Sequence, residues 1–190
     1  EPAERDPPAF KHYRLLLPVS RHVLDSIKGR GYGSVFAEPM YGVADPARNA
    51  PSDPIVTRSE YDWDRRKLRD RLLGLAEPWW RRNRAVMGFH KRPGLTLGIV
   101  SRLTPIKQFP LMFGMLAPVI ARFPQVNLEI FGSGGYASVR DLRAGLAPIG
   151  KRVRFWGHQP NVAAVYPQLD YVLSGLPEKE ALGLNLIEAQ

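Results

Sequence analysis

The chain has 190 residues and no cysteine, so it holds no disulfide framework and no thiolate metal site. That absence fits the cytoplasm. No apolar run approaches the roughly 20 residues needed to span a bilayer. The opening residues, Glu1-Pro2-Ala3-Glu4-Arg5-Asp6, lack the basic and apolar regions of a signal peptide. Histidine is scarce: His12, His22, His90 and His158 show no ligand spacing, and most read as surface residues. No internal repeat is evident. Acids are outnumbered, with 18 Asp and Glu against 27 Lys and Arg, giving a formal net charge of +9. Such a surface favours anionic partners (phosphorylated substrates, nucleic acid or acidic lipid headgroups) without choosing among them. What is present is ordinary for a globular protein: 44% hydrophobic and 24% charged residues, enough for one domain and part of another.

Residues 1–12 are Pro-rich and read as a tail. Tyr13–Val19 reads as a short strand, Ser20 as the cap of a helix over 21–29, and Val35–Val43 as a second short strand. Residues 46–56 read as loop. A helix is expected over Asp64–Leu75, with Leu68, Leu72 and Leu75 on one face and Pro78 ending it. The Trp79–Arg84 stretch is aromatic and basic; a solvated or interdomain face is favoured over a membrane or nucleic-acid surface. From Leu95 onward strands and helices alternate. Strands are expected at Leu95–Val100, Val126–Phe131, Val153–Trp156 and Tyr171–Leu173, with helices over 105–122, 136–146 and 162–166. This spacing predicts an α/β, Rossmann-like parallel sheet with helices on both faces. Ligands of such sheets sit beyond the carboxyl ends of the strands. The loops at 101–107, 132–135, 157–160 and 174–183 therefore belong to one functional rim.

Arg102 and Lys107 stand five positions apart after the first regular strand, where they can clamp a diphosphate from two directions. Cations at a helix start oppose its dipole, so their placement wants a reason. The Gly132-Ser133-Gly134-Gly135-Tyr136-Ala137 loop fits a loose dinucleotide pattern. The next strand, however, ends in Gly157-His158 rather than the acid that would hold an NAD ribose. A tight turn approaching a ligand is the milder use of Gly132 and Gly134. His158 stands on the rim and could face a base or phosphate. Asp62-Trp63-Asp64 has the spacing of a metal-binding pair but opens an Arg-rich helix, where acids serve as caps.

The final run, from Asp170 to Ala189, joins a short strand, a polar turn and an amphipathic helix, with Glu180 and Glu188 at its two ends. If the segment between them is helical, eight steps of roughly 1.5 Å put the carboxylates about 12 Å apart. Two hydroxyl acceptors flanking a helix N-terminus that suits a diphosphate describe a site for a nucleotide sugar.

Together these stretches resemble the donor-binding half of a GT-B glycosyltransferase, most similar to glycosyltransferase family 4. The match runs through Leu97–Leu103 with Lys107, Arg122–Ile130, Gly132-Ser133-Gly134, Val153–Gly157, Asp170, the paired glutamates and Gly183. The resemblance implies that Arg102 and Lys107 bind the donor diphosphate and stabilise it as it leaves. It implies that Glu180 faces the transferred sugar, that Glu188 binds the ribose, and that Gly183 and Leu184 form the helix start near the phosphates. It also implies sugar transfer with retention, no metal for donor binding, a nucleotide sugar as donor, and a glycan, lipid or small-molecule acceptor. Glu178 is a rival for the first glutamate role, although the spacing favours Glu180. Ser52–Val56, Tyr61 and 67–75 are similar to the linker of starch and glycogen synthases, which lack the second glutamate.

Three regions are expected: 1–45 as the last strand and helix of an acceptor domain with a tail and hinge, 46–94 as a linker with a basic helix, and 95–190 as a truncated donor domain. The chain reads as a fragment that alone does not turn over. It is expected in the cytoplasm, with peripheral membrane contact held open and no nucleic-acid partner. The competing class is a non-catalytic nucleotide or nucleic-acid module using the same basic rim.

Overall fold

The structure, a computed structural model, describes residues 12–30, 35–41, 54–58, 68–81, 86–175 and 183–189. The chain divides into two compact units, Glu1–Ala44 with Lys179–Leu184, and Asp45–Glu178 with Asn185–Gln190. In the first unit, helix α1 spans Arg21–Gly29, and the Ser20 hydroxyl accepts from the Val23 N–H at 3.2 Å as the expected cap. The strand expected over Tyr13–Val19 is reduced to a single parallel bridge, Leu16 to Val35. Pro18 has no N–H to extend the ladder, and Tyr13, Leu15 and Leu17 stay exposed. The second expected strand is likewise the bridge at Val35, and residues 42 and 43 lie outside the described residues.

The second unit is built on four parallel strands: β1 (Leu95–Val100), β2 (Val126–Phe131), β3 (Val153–Gly157) and β4 (Tyr171–Val172), in the order β3-β2-β1-β4. This is the α/β, Rossmann-like parallel sheet that the strand spacing predicts. Between β1 and β2 runs helix α3 (Phe109–Ala121), and between β2 and β3 runs α4 (Tyr136–Gly145). Alternation along β2 divides its side chains between two cores. Leu128 and Ile130 pack with Phe113 and Ala117 of α3 and Leu142 of α4. Phe131 joins Val100, Trp156 and Val165 on the other face, covered by Ile55, Phe89 and the 3-10 turns at 162–164 and 166–168. Phe89 meets Trp156 at a centroid distance of 5.0 Å.

Two charged arrangements fasten the sheet. Asp170 accepts from Lys91 Nζ at 2.8 Å and from the Thr96 N–H at 2.7 Å, which ties the start of β4 to β1. The Lys91 hydrogen bond, then that of Thr96, holds this carboxyl below the usual carboxylate range. Glu129, in the middle of β2 and 1% exposed in its side chain, accepts from Arg154 Nε at 2.9 Å, Arg92 Nη2 at 2.9 Å and Trp156 Nε1 at 2.7 Å. The Arg154 guanidinium also lies 4.8 Å from the Trp156 ring centroid. Separately, Arg152 donates to the carbonyls of Ala121 at 3.3 Å and Phe123 at 2.8 Å, satisfying the end of α3 with a cation where the dipole is negative.

Helix α2 spans Leu68–Arg81, starting later and ending later than the expected Asp64–Leu75. Residues 61–67 are outside the described set. Pro78 does not stop the helix: proline's φ is itself helical, and near a helix end it forfeits one backbone hydrogen bond. Leu68, Leu72 and Leu75 do share a face, and that face is exposed.

Candidate functional site

The carboxyl ends of the strands collect the loops that the sequence marks. After β1, residues 101–104 lead into a 3-10 turn at Pro105–Lys107. Gln108 then takes a left-handed conformation, φ 50°, before α3 begins at Phe109. The single helix expected over 105–122 is thus broken at Gln108. Lys107 lies on the short turn and is half-buried, and Arg102 is exposed, with no side-chain partner among the described residues.

Backbone bonds bind this loop to its neighbours. Ser101 N–H donates to Phe131 O at 3.0 Å and Leu103 N–H to Ser133 O at 2.6 Å; Gly132 N–H donates to Gly157 O at 2.8 Å. Gly132 has φ +147°, and a Cβ built there would lie 1.7 Å from Ser101 O. At Gly134 it would lie 2.7 Å from Leu103 Cβ, and at Gly175 it would lie 2.3 Å from Lys107 O. The close approach expected of Gly132 and Gly134 is therefore made to the adjoining loop. Glycine here lets three rim loops press together and sets the backbone that carries Arg102 and Lys107. Gly157, φ +71°, similarly meets Arg58 O and turns the chain towards His158, which is exposed.

Helix α5 covers Leu184–Glu188, immediately after Gly183 at φ +69°. Because Gly183 is not helical, the helical rise cannot be counted from residue 180, and the expected spacing of about 12 Å does not follow. Five residues also give little dipole for an anion. Glu180, like its rival Glu178, lies outside the described residues, as do Asp62 and Asp64.

Glu188 is described, and it has a partner that the sequence did not suggest. Tyr166, on the turn before β4, donates its hydroxyl to Glu188 Oε2 at 2.9 Å. Burial, then this hydrogen bond, then the carboxylate's charge push the Tyr166 phenol well above its ordinary value of 10.0. No spacing rule links residues 22 positions apart across a strand. The folded state keeps a proton that the unfolded chain releases above about pH 10, so this contribution to stability is lost as pH rises beyond that value. Stability of the wild type is expected to fall more steeply between about pH 9.5 and 11 than that of Tyr166→Phe, as read by urea midpoints at each pH.

A cavity of about 320 Å³ lies beside Arg143, Leu146, Val153 and Phe155, at the start of β3 and thus away from the carboxyl-end rim. Near the rim a recess of about 70 Å³ lies between Leu103, Thr104, Phe109 and Leu142, too small for a nucleotide. Among the described residues no group of three or more His, Asp or Glu is placed to hold a metal ion. No described helix is long and apolar enough to cross a membrane.

No family model and no curated protein sequence matches the chain. Solved structures do. Anabaena HepE in complex with UDP and glucose is similar over 95% of this chain and 43% of its own, at 18% identity and a TM-score of 0.61. A variant of S. aureus TarM with UDP, alpha-GlcNAc-glycerol and Fondaparinux is similar over 94% of this chain and 28% of its own, at 13% identity and a TM-score of 0.58. The pneumococcal O-GlcNAc transferase GtfA with UDP and GlcNAc follows at 93% and 28% coverage, 15% identity and a TM-score of 0.54. The chain thus spans less than half the length of each of these proteins, and what it shares with them is the fold.

Proposed function

We propose that the chain carries the donor side of a GT-B glycosyltransferase of the family 4 type, which moves a sugar from a nucleotide diphosphate to an acceptor with retention. One observation carries the reading: the loop bearing Arg102 and Lys107 sits at the carboxyl end of β1 and is fastened to the Gly132–Gly134 loop and to Gly175. Two cations are thereby held on rigid backbone at the rim where parallel sheets bind ligands. The likeness to structures solved with UDP supports the same reading and makes UDP the first nucleotide to test.

In the proposed reaction, negative charge grows on the diphosphate as the bond to the anomeric carbon breaks. Arg102 and Lys107 meet that charge, and fixed cations lower the barrier without reorganising. Glu188 accepts from the ribose hydroxyls, oriented by Tyr166. Glu180 holds hydroxyls of the sugar and balances its oxocarbenium-like centre. Gly183 and Leu184 begin the helix that carries Glu188, and His158 faces the nucleotide from the end of β3. The diphosphate's charge is met by the two cations, with no metal assigned a role. The acceptor is a glycan, a lipid or a small molecule.

Calorimetric titration of the chain with UDP, GDP and ADP in metal-free buffer tests this. Saturable binding of one nucleotide is expected, weakened about tenfold, or 1.4 kcal/mol, by Glu188→Ala through lost ribose hydrogen bonds. Equal affinity of wild type and Glu188→Ala would remove Glu188 from the site. Absence of binding by the folded chain would sink the donor-site reading for it.

A further inference from the structure

Helix α2 presents its apolar stripe to solvent. Leu68, Leu72, Leu75 and Trp79 are 72, 60, 77 and 85% exposed. At 3.6 residues per turn these four fall within an arc of about 60°, and the stripe runs about 16 Å along the helix. Arg69 and Arg71, both exposed, border it on either side. A lone helix of this length is marginal in water, and an amphipathic one gains its stability by covering the apolar face.

We infer that α2 is a docking element for an anionic lipid surface, on which it lies with its axis in the plane of the headgroups. Charge selects this occupant. Within residues 65–84, eight are Lys or Arg and two are acidic, which accounts for most of the net +9 of the whole chain. A second copy of the same face would bring two cationic segments together, whereas an acidic bilayer attracts them. The side-chain arrangement fits the depth profile of an interface. Leucines enter the acyl boundary, Trp79 sits at headgroup level, and the flanking arginines reach up to phosphates along their apolar stems. Helix α3 supplies the contrast: Leu111, Met115 and Val119 are also exposed, but α3 itself contains no charged residue to rim them.

The inference stands apart from the donor-site reading, because lipid binding is read without nucleotide. The test is co-sedimentation of the chain with phosphatidylcholine vesicles, with and without about a third of phosphatidylglycerol. Binding is expected only to the anionic vesicles and should weaken as salt rises from about 0.05 to 0.5 M. Leu72→Glu with Trp79→Ser should reduce it at least tenfold, Arg69→Gln with Arg71→Gln should reduce it severalfold, and Met115→Glu on α3 should leave it intact. All these positions are exposed, so the variants should keep the wild-type circular dichroism. Failure to bind anionic vesicles, or binding untouched by the Leu72 and Trp79 changes, overturns the inference. So does light scattering that shows a dimer broken by Leu72→Glu, which would name a second copy as the occupant.

Discussion

Glu129→Gln is expected to cost the second unit about 2–4 kcal/mol, because it leaves two half-buried guanidinium groups, 23 and 16% exposed, without their buried counter-charge. The carboxylate is the hub of the arrangement: Arg154, Arg92 and the Trp156 indole all point at its two oxygens. Their other donors are committed too, Arg92 to the Arg152 carbonyl at 2.6 Å and Arg154 to the His90 carbonyl at 2.9 Å. An amide of the same size would accept on one side only and would press its own N–H₂ against a donor. Among the described residues Arg92 Nε already has no hydrogen-bond partner, so little slack exists to absorb the loss. Replacing all three charged residues, Arg92→Met, Glu129→Leu and Arg154→Met, should cost far less than the single change, since no uncompensated charge remains buried. Urea unfolding of the two variants checks this. A single variant as stable as wild type would show that the cluster contributes little, and a triple variant weaker than the single would show that the pair attraction dominates.

This cluster also marks where sequence reading stops. The strands β1 and β2 were legible to the residue, because apolar runs bounded by glycine and polar turns leave little choice of register. The rim followed from them: once strands alternate with helices, Arg102, Lys107, Gly132 and Gly134 fall at carboxyl ends. Contacts between side chains distant in sequence left no such trace. Glu129 stands as the one acid of the run Val126–Phe131, and its partners stand 25 and 37 positions away. Tyr166 read as part of a short helix and not as the partner of Glu188. The break at Gln108 was invisible for another reason: a non-glycine residue at positive φ is held by its surroundings, here the 3-10 turn before it and α3 after it. The stripe on α2 was seen, but periodicity says which residues share a face and not what that face meets.

The largest effect on the rim itself is expected from Gly132→Ala. Two costs combine there. The backbone at φ +147° lies in a region that side chains rarely adopt, and the new Cβ would lie 1.7 Å from Ser101 O, a distance at which something must move. Gly150 separates the two, since it also has positive φ, +65°, but nothing lies within 4 Å of its would-be Cβ. Gly150→Ala, at φ +65° and ψ −134°, should therefore show backbone strain alone, about 1–3 kcal/mol. Gly132→Ala should lose about 3–5 kcal/mol, from strain and from the displaced loop together. What moves is the 101–104 backbone, held by the Ser101 N–H to Phe131 at the end of β2 and by the Leu103 N–H to Ser133 in the Gly132 loop, and Arg102 and Lys107 move with it. Under conditions where both variants remain folded, UDP affinity should fall at least tenfold in Gly132→Ala and stay near wild type in Gly150→Ala. Equal losses of stability in the two would mean that the loops yield freely. Lost stability with unchanged UDP affinity would mean that the cations reach the diphosphate without a fixed loop, and their role would then be attraction rather than positioning.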